Sequence, residues 1–315
     1  GGKIAGGKIA VIGAGPAGLS CACELRLSGY TVEIFEAETV PSGLTLFGIA
    51  PYKIRNQEVL DEVRYLEDQF GFTIHYSRLI SREEELKKLE KEYDAIFLGI
   101  GLGNTIGTSL PGEDLPGCVG ATEFIRDLKV THQGVEIGKK VIVLGGGNTA
   151  MDAASEAARL GAAEIILAYR RSRQEKPAYD FEYMLARGAG VRGLFNVAPV
   201  AIRGSRAVEG VRFIRTKTAG GRIEVIEGSE FDVPCDMVIR ATGQEKKTSL
   251  LKLIKGLSFD RKGCIVTDPA TFQTGNRRFF AGGDAVNGGA EVVNAAAEGK
   301  AAARGIHAYI SGKEA

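Results

Sequence analysis

The chain has 315 residues, of which 44% are hydrophobic and 25% are charged. This composition is typical of a globular protein with one large domain or two ordinary ones. Its 40 lysines and arginines are balanced by 39 aspartates and glutamates, so no basic surface is expected to bind nucleic acid or an anionic membrane. No apolar run approaches the roughly 20 residues of a membrane span, and no signal peptide is recognised, which predicts a soluble, cytoplasmic protein.

The five cysteines are scattered and include no C-x-x-C pair. This excludes the usual patterns of a zinc ribbon, an iron–sulfur cluster and a dithiol redox motif. The cysteines are expected to be small buried side chains in a reducing compartment. His75, His132 and His307 are far apart in the sequence and lie next to no carboxylate pattern, so no metal site is predicted.

The hydrophobic pattern alternates between strand and helix periods along the chain. The predicted strands are 8–12, 31–35, 72–76, 95–100, 140–144, 164–169, short antiparallel strands within 197–233 (207–215 and 222–226), 237–241 and 278–281. The predicted helices end at 28, 70 and about 92, and then cover 149–160 and about 291–309. Alternation of this kind predicts parallel α/β sheets. The strand–glycine–helix–strand unit occurs twice, at 8–36 and 140–171, which predicts two dinucleotide sites.

The first glycine-rich motif is Gly13–Gly18, which follows a strand and opens a helix. Gly13 would make the tight turn, Gly15 would let the backbone approach a pyrophosphate, and Gly18 would let the helix pack on the strand. Glu36 lies at the end of the second strand, about 23 residues after Gly13. A carboxylate at this place accepts the ribose hydroxyls of an adenosine. Together with the free N–H groups of the helix start, these features predict a dinucleotide site rather than a glycine-rich turn beside a surface glutamate.

The second motif is Gly145–Ala150, in which Ala150 stands in place of the third glycine, a replacement that the motif tolerates. Its second strand ends without an acid, and Arg170 and Arg171 stand there instead, with Lys176 close behind. A guanidinium group pairs with a 2′-phosphate that a carboxylate would repel. This favours NADPH over NADH, although NADH stays possible and the arginines could simply form a solvated loop.

The third element is Ala281–Asp284, which is followed by a new helix start at Gly288–Asn294. The Asp284 carboxylate is suited to accept hydrogen bonds from a polyol chain. The helix start is suited to a partly anionic heterocycle such as reduced flavin.

At these residues the chain resembles the flavoprotein part of the glutamate synthase small subunit and the flavin- and NADPH-binding portion of dihydropyrimidine dehydrogenase. The resemblance covers about residues 8–312, nearly the whole chain. The stretches that carry it are Val11–Gly18, Ser42–Leu44, Phe47–Lys53, Phe97–Gly101, Pro111–Leu115, Gly145–Asp152, Tyr169–Arg173, Ala241–Gln244 and Phe280–Lys300. Thioredoxin reductase is a more distant relative, but it uses a dithiol pair that this sequence does not contain.

The resemblance implies an α/β fold with two Rossmann-like dinucleotide-binding domains, the NAD(P)H domain being inserted into a split FAD domain. The expected FAD domain covers residues 1–117 and 259–315, and the expected NAD(P)H domain covers 118–258. Glu36 would bind the adenosine ribose, Gly43, Leu44 and Lys53 would line the flavin, and Asp284 would hold the ribityl chain. The backbone at Glu291–Val292 would face the pyrimidine edge of the flavin.

The residues expected to bind the two cofactors form two sets. The FAD set is Gly13, Gly15, Pro16, Ala17, Gly18, Glu36, Gly43, Leu44, Lys53, Gly101, Gly283, Asp284, Glu291 and Val292. The NADP(H) set is Gly145, Gly147, Asn148, Thr149, Arg170, Arg171, Lys176, Ala241, Thr242 and Gly243. The chain departs from its relatives at Ser42 and Ala50, where they commonly have glycine and proline, and it has no cysteine-rich iron–sulfur domain at its start.

The resemblance favours an NAD(P)H-oxidising flavoprotein subunit of a hetero-oligomer, which passes electrons to an iron–sulfur protein, subunit or domain. Because the cofactors carry the chemistry, no acid–base catalytic residue is named. Two alternatives stay open. One is a self-contained reductase of a small acceptor such as a quinone, and the other is a non-catalytic FAD-binding scaffold.

Overall fold

The computed structural model describes residues 6–131 and 135–312, so His132 and the first five residues lie outside the described part. The chain forms two compact units. Unit 1 consists of Gly1–Leu46, Arg55–Gly103 and Lys246–Ala315, and unit 2 consists of Phe47–Ile54 and Asn104–Glu245. Unit 2 is therefore inserted, in sequence, between segments of unit 1.

The elements alternate between strands and helices and are numbered in chain order. The strands are β1 (Lys8–Ile12), β2 (Thr31–Phe35), β3 (Thr73–His75), β4 (Ala95–Leu98), β5 (Cys118–Gly120), β6 (Lys140–Leu144), β7 (Glu164–Tyr169), β8 (Arg192–Phe195), β9 (Val197–Arg203), β10 (Gly210–Ala219), β11 (Arg222–Val225), β12 (Phe231–Pro234), β13 (Met237–Arg240) and β14 (Phe279–Ala281). The helices are α1 (Pro16–Leu27), α2 (Leu44–Phe47), α3 (Asn56–Phe70), α4 (Glu83–Glu92), α5 (Ala121–Thr131), α6 (Asn148–Arg159), α7 (Asp180–Gly188), α8 (Thr248–Leu251), α9 (Asp284–Asn287) and α10 (Val292–Ser311).

Unit 1 is built on a five-stranded parallel sheet of order β14-β4-β1-β2-β3. Val11 of β1 packs in a core shared with α1 and α10, whereas Ile12 packs on the opposite face with residues of α4. Burial on both faces explains the uninterrupted apolar run of β1. In the register, Ile12 lies opposite Phe35 and Leu98, so these three strands end at one edge of the sheet.

Unit 2 has a second five-stranded parallel sheet, of order β5-β13-β6-β7-β8. Alternate residues of β6 face opposite layers. Val143 lies in a core shared with α5 and α6, and Leu144 lies in a core shared with β9, β10 and β12 of the four-stranded antiparallel sheet β9–β12. The register places Leu144 opposite Ala168 and Arg240, so the strand ends again share one edge.

The divisions between the units differ from the expected positions at 117/118 and 258/259. They fall at 103/104 and 245/246, and residues 47–54 join unit 2. The loop before β5 belongs to unit 2 because the N–H of Ile202 donates to the carbonyl of Pro111 and the N–H of Val208 donates to that of Pro116. The sequence pattern of this loop, rich in glycine and proline, contains no sign of those pairings.

Within the part of the chain that the structure describes, no helix has the length and apolar character needed to cross a membrane.

The close packing of α10 on α1 depends on Gly299, where an added Cβ would overlap the carbonyl oxygen of Ala17. We expect Gly299→Ala to lower the free energy of unfolding by about 1–3 kcal/mol, because the overlap can be relieved only by moving a helix. Urea unfolding followed by circular dichroism measures this change. Gly188→Ala is the control, since a Cβ there meets no atom within 4 Å. Equal midpoints for the two variants would contradict the packing.

Candidate nucleotide-binding sites

The first glycine loop, Gly13–Gly18, connects β1 to α1 at the edge where β1, β2 and β4 end. Gly13 has a φ of 101°, and a Cβ there would lie 2.5 Å from the carbonyl oxygen of Gly99. A Cβ on Gly18 would overlap the carbonyl oxygen of Gly13. The packing of the protein itself therefore requires glycine at these two positions.

Gly15 is glycine for another reason. It is the N-cap residue of α1, and a Cβ there would meet its nearest protein atom only at 3.9 Å. Protein packing does not explain the missing side chain, but the close approach of a pyrophosphate to the helix N-terminus would.

The Glu36 carboxylate is fixed beside this loop. The side chain is only 7% exposed, and Oε2 accepts the backbone N–H of Ala14 at 2.7 Å while Oε1 accepts that of Glu38 at 2.8 Å. Each carboxylate oxygen has a second lone pair. Glu36 can therefore accept hydroxyl groups of a ribose without giving up its bonds to the backbone.

The Gly43 and Gly101 segments join the same edge of the unit 1 sheet. The N–H of Ser42 donates to the carbonyl of Ala14 at 2.7 Å, and a Cβ on Gly43 would lie 3.5 Å from the Cα of Gly15. Leu44, the first residue of α2, follows directly. A Cβ on Gly101 would meet no protein atom within 4 Å, so this glycine also borders open space.

The third predicted element, Gly283–Asp284, lies next to α1. A Cβ on Gly283 would come 3.0 Å from the Cβ of Ala17, and the N–H of Gly283 donates to Oε2 of Glu298 at 2.6 Å. Asp284 accepts the N–H of Ala290 at 3.2 Å, and burial raises the pKa of its carboxyl group. Glu291 is the N-cap residue of α10, and Val292 begins that helix.

The second glycine loop, in unit 2, repeats the geometry of the first. Gly147 is the N-cap of α6, and a Cβ there would meet no atom within 4 Å. A Cβ on Gly145 would overlap the carbonyl oxygen of Ala241, and one on Gly146 would lie 2.5 Å from the ring of Tyr169. As in unit 1, the first glycine is required by packing, and the one at the helix N-cap faces open space.

The other predicted residues of unit 2 surround this loop. Asn148 accepts the N–H of Tyr179 through Oδ1 at 3.1 Å, and Thr149 is exposed in the first turn of α6. Gly243 has a φ of 119°, and Thr242 Oγ1 donates to the carbonyl of Ile106 at 3.4 Å. Ala241–Gly243 thus follows β13 at the edge that also carries the glycine loop.

The predicted cations of unit 2 differ in their surroundings. Arg170 is exposed directly after β7, whereas Arg171 Nη1 lies 3.4 Å from Oε1 of Glu175. Hydrogen bonds from Ser172, together with one from Thr218, lower the pKa of Glu175 to about 2, so that this group is negatively charged. Lys176 pairs with Asp180, and its Nζ donates to the carbonyl of Ala178 at 3.3 Å.

Lys53 belongs to unit 2, where its Nζ lies 2.7 Å from Oδ1 of Asp152 and 2.7 Å from Oε1 of Glu182. The expected contact of Lys53 with the flavin stays a prediction. The sequence analysis missed Asp152 and Glu182 as functional candidates. The sequence signal for Asp152 is an acid within the alanine-rich, buried helix α6, which also buries Glu156.

The cysteines and His75 lie in surroundings that indicate structural roles. Cys21, Cys23, Cys235 and Cys264 are buried and Cys118 is partly buried. His75 Nε2 lies 2.7 Å from Glu33 Oε2. No group of three or more His, Cys, Asp or Glu side chains in the described ranges could hold a metal ion.

Comparison with known proteins agrees with this geometry. The family described as pyridine nucleotide-disulphide oxidoreductase matches residues 7–299. The NADP(+)-dependent formate dehydrogenase subunit beta of Moorella thermoacetica is 38% identical over 314 residues, which are 97% of this chain and 44% of that protein. The glutamate synthase (NADPH) small chain of Halomonas elongata is 38% identical over 322 residues, which are 96% of this chain and 68% of that protein. The chain thus spans between 44% and 68% of the length of these two relatives, and the predicted resemblance is confirmed.

Solved structures show the same fold at low sequence identity. The chain is similar to Mycobacterium tuberculosis FprA in complex with NADPH, with a TM-score of 0.80 and 17% identity over 97% of this chain and 85% of that chain. It is also similar to T. acidophilum thioredoxin reductase, with a TM-score of 0.74 and 19% identity over 96% and 98% of the two chains. The predicted fold of two Rossmann-like domains is confirmed.

Two neighbouring glycines of the unit 2 loop allow separate tests of the two reasons for having glycine. Gly146 is required by protein packing, and Gly147 leaves space for a ligand. We expect Gly147→Ala to leave the urea midpoint unchanged and to weaken NADP⁺ binding about tenfold or more, because its methyl group would occupy the place of the pyrophosphate. Calorimetric titration with NADP⁺ measures the binding. Gly146→Ala is expected to lower the free energy of unfolding by about 1–3 kcal/mol, because its methyl group meets Tyr169. If Gly147→Ala binds NADP⁺ as tightly as wild type, the assignment of the pyrophosphate to this loop is contradicted.

Proposed function

Because the chain belongs to the pyridine nucleotide-disulphide oxidoreductase family, which comprises FAD- and NAD(P)H-dependent reductases, we propose that unit 1 binds FAD, unit 2 binds NADPH, and a hydride passes between nicotinamide and flavin. The observation that carries this proposal is the pair of N-cap glycines, Gly15 and Gly147. Each follows a central parallel strand, opens a helix and leaves the space of its missing side chain uncovered by protein.

The residues of unit 1 fit FAD in order along the sheet edge. Gly15 and the N-terminus of α1 would receive the pyrophosphate, and Glu36 would accept the ribose hydroxyls. Asp284 would hold the ribityl chain, with Gly43–Leu44 and the Glu291–Val292 backbone at the flavin ring. A carboxylate as enclosed as Glu36, already held by two N–H groups, is preorganised for hydroxyl recognition.

The residues of unit 2 fit NADPH. Gly147, Asn148 and Thr149 would receive the pyrophosphate at the N-terminus of α6, and Arg170 would pair with the 2′-phosphate. When bound, the two rings supply hydride transfer. The protein is then needed to bind the cofactors, to align the rings and to exclude water, which requires no acid–base side chain.

A reduced flavin needs an electron acceptor. We infer an iron–sulfur protein, subunit or domain, reached by single-electron transfer from the flavin in a hetero-oligomer. This inference is supported by relatives that are called a small chain and a subunit beta. A cytoplasmic location fits the buried, unpaired cysteines. A self-contained reductase would instead turn over with a small acceptor and no partner protein.

Anaerobic addition of NADPH is the direct test of hydride transfer. We expect the purified protein, loaded with FAD, to lose its flavin absorbance within seconds of mixing, as measured by stopped-flow spectroscopy. Gly147→Asp should slow this bleaching at least about 100-fold, because its carboxylate would repel the pyrophosphate. Gly188→Asp, at an open position of the same unit, should bleach at the normal rate. A yellow protein whose flavin absorbance stays unchanged after addition of NADPH or NADH would favour the scaffold alternative.

The choice of NADPH over NADH is testable separately at the two arginines. We expect Arg170→Ala combined with Arg171→Ala to weaken NADPH binding about tenfold or more and to leave NADH binding nearly unchanged, since only NADPH presents a 2′-phosphate. Binding constants from titrations with both nucleotides measure the difference. Arg192→Ala, which removes an exposed partner of Glu164, is the control. Equal losses for the two nucleotides would contradict the assignment.

A further inference from the structure

The loop that follows β7 in unit 2 holds the backbone of both predicted phosphate-binding arginines in place. Thr216 Oγ1 donates to the carbonyl of Arg170 at 2.9 Å, and the N–H of Asn196 donates to the carbonyl of Arg171 at 3.1 Å. Both arginines therefore start from fixed backbone positions, directly after the strand that pairs with β6.

One acid, Glu175, is built into the same loop. Its Oε2 accepts the N–H of Ser172 at 3.1 Å and the Ser172 hydroxyl at 2.7 Å, as well as the hydroxyl of Thr218 at 3.2 Å. The N–H of Glu175 donates to the carbonyl of Ser172 at 3.2 Å. Because Thr218 belongs to β10, the carboxylate is tied both to its own turn and to a second element of the unit.

The other oxygen of this carboxylate lies beside Arg171. Oε1 of Glu175 is 3.4 Å from Nη1 of Arg171, and the two side chains are 33% and 30% exposed. Both groups are charged near neutral pH. A phosphate that approaches Arg171 would therefore meet a guanidinium group that already has an anionic partner, and the two anions would compete for it.

The other cations of the loop have different surroundings. Lys176 is paired with Asp180, and Arg173 lies 5.1 Å from the ring centroid of Tyr183. Arg170 is exposed, and no ion pair joins it to a carboxylate in the part of unit 2 that the structure describes. Of the two predicted arginine ligands, Arg170 thus carries an uncompensated charge and Arg171 does not.

We propose that Glu175 is a specificity-determining residue: by pairing with Arg171 it withdraws one guanidinium group from the 2′-phosphate and so limits the preference of unit 2 for NADPH over NADH. This inference rests on the proposed function and concerns the nucleotide site of unit 2 alone.

Glu175→Gln tests this role directly. We expect the ratio of the dissociation constant for NAD⁺ to that for NADP⁺ to rise about threefold to fivefold, which is the upper part of the range for exposed ion pairs. Calorimetric titrations with both nucleotides at pH 8, where the 2′-phosphate is a dianion, measure the ratio. The glutamine amide oxygen can still accept from Ser172, so the turn is retained. An unchanged or lower ratio would overturn the proposal, since Glu175 would then only close the turn or orient Arg171 toward the phosphate.

Glu164→Gln is the matched control. It makes the same change in net charge and removes an exposed carboxylate that pairs with Arg192 at 2.7 Å. Glu164 begins β7, about 16 Å from the end of that strand, so the ratio should stay at the wild-type value. An equal rise in both variants would contradict the proposal, because the net charge of the unit would then set the preference.

Single arginine variants test the same pair without changing Glu175. In the otherwise wild-type chain, Arg170→Ala should weaken NADP⁺ binding about tenfold and Arg171→Ala less than about threefold, because only Arg171 is already neutralised. In the Arg171→Ala background, Glu175→Gln should raise the ratio less than about twofold. Equal losses for the two arginine variants, or a full effect of Glu175→Gln without Arg171, would show that the pair does not limit the preference.

The two levels of inference fail separately. If the wild-type protein binds neither NADP⁺ nor NAD⁺, the proposed function is wrong. If it binds them and Glu175→Gln leaves the ratio unchanged, the function stands and only the role of Glu175 is wrong.

Discussion

The close approach of backbone to backbone at the glycine loops constrains the rest of each unit. In unit 1, Gly13 and Gly18 bring the start of α1 so near to β1 that an added Cβ would meet the main chain of Gly99 or of Gly13 itself. This approach places the N–H groups of the first helical turn at the edge where the strands end. In unit 2, Gly145 lies equally close to other backbone, because an added Cβ there would overlap the carbonyl oxygen of Ala241. The fold thus presents two helix ends suited to anions, and the elements around each loop supply the groups that would recognise the rest of a dinucleotide.

Much of this architecture could be predicted because its signals are local. The spacing of Gly13, Gly15 and Gly18 after an apolar strand reports a turn that only a few residues determine, and Glu36 follows from the length of one helix and one strand. The helix predicted at 149–160 differs from α6 (Asn148–Arg159) by one residue at each end. Errors were larger in the antiparallel strands, where 207–215 was expected and β10 runs over Gly210–Ala219. The pairing of β10 with β9 is also irregular, with a register shift between Arg212 and Phe213.

The parts that could not be predicted depend on contacts distant in sequence. Helix α7 buries Glu182 together with Tyr183 and Ala186 but exposes Phe181, Met184 and Leu185, so its apolar residues do not mark the buried face as they do in a simple amphipathic helix. Its buried acid is explained only by Lys53, 129 residues away. This pairing, together with the packing of Ala50 and Tyr52 in the unit 2 core, accompanies the placement of residues 47–54 in unit 2, which no local composition or periodicity indicates. A buried ion pair of this kind adds little net stability compared with apolar packing, but it specifies which segments must meet.

The two loops share a geometry, and the charge after the second strand distinguishes them. In unit 1 that position holds Glu36, whose oxygens can accept ribose hydroxyls but would repel a 2′-phosphate. In unit 2 it holds Arg170 and Arg171, which donate but cannot accept. Glu175 moderates this contrast, because its ionised carboxylate already pairs with Arg171 at 3.4 Å. That pair is partly exposed and correspondingly weak, so an arriving phosphate could displace it at small cost. In the proposed assignment, Arg170 therefore contributes more than Arg171 to the preference for NADPH. Among the described residues, no ion pair joins Arg170 to a carboxylate, so a phosphate would not have to displace one.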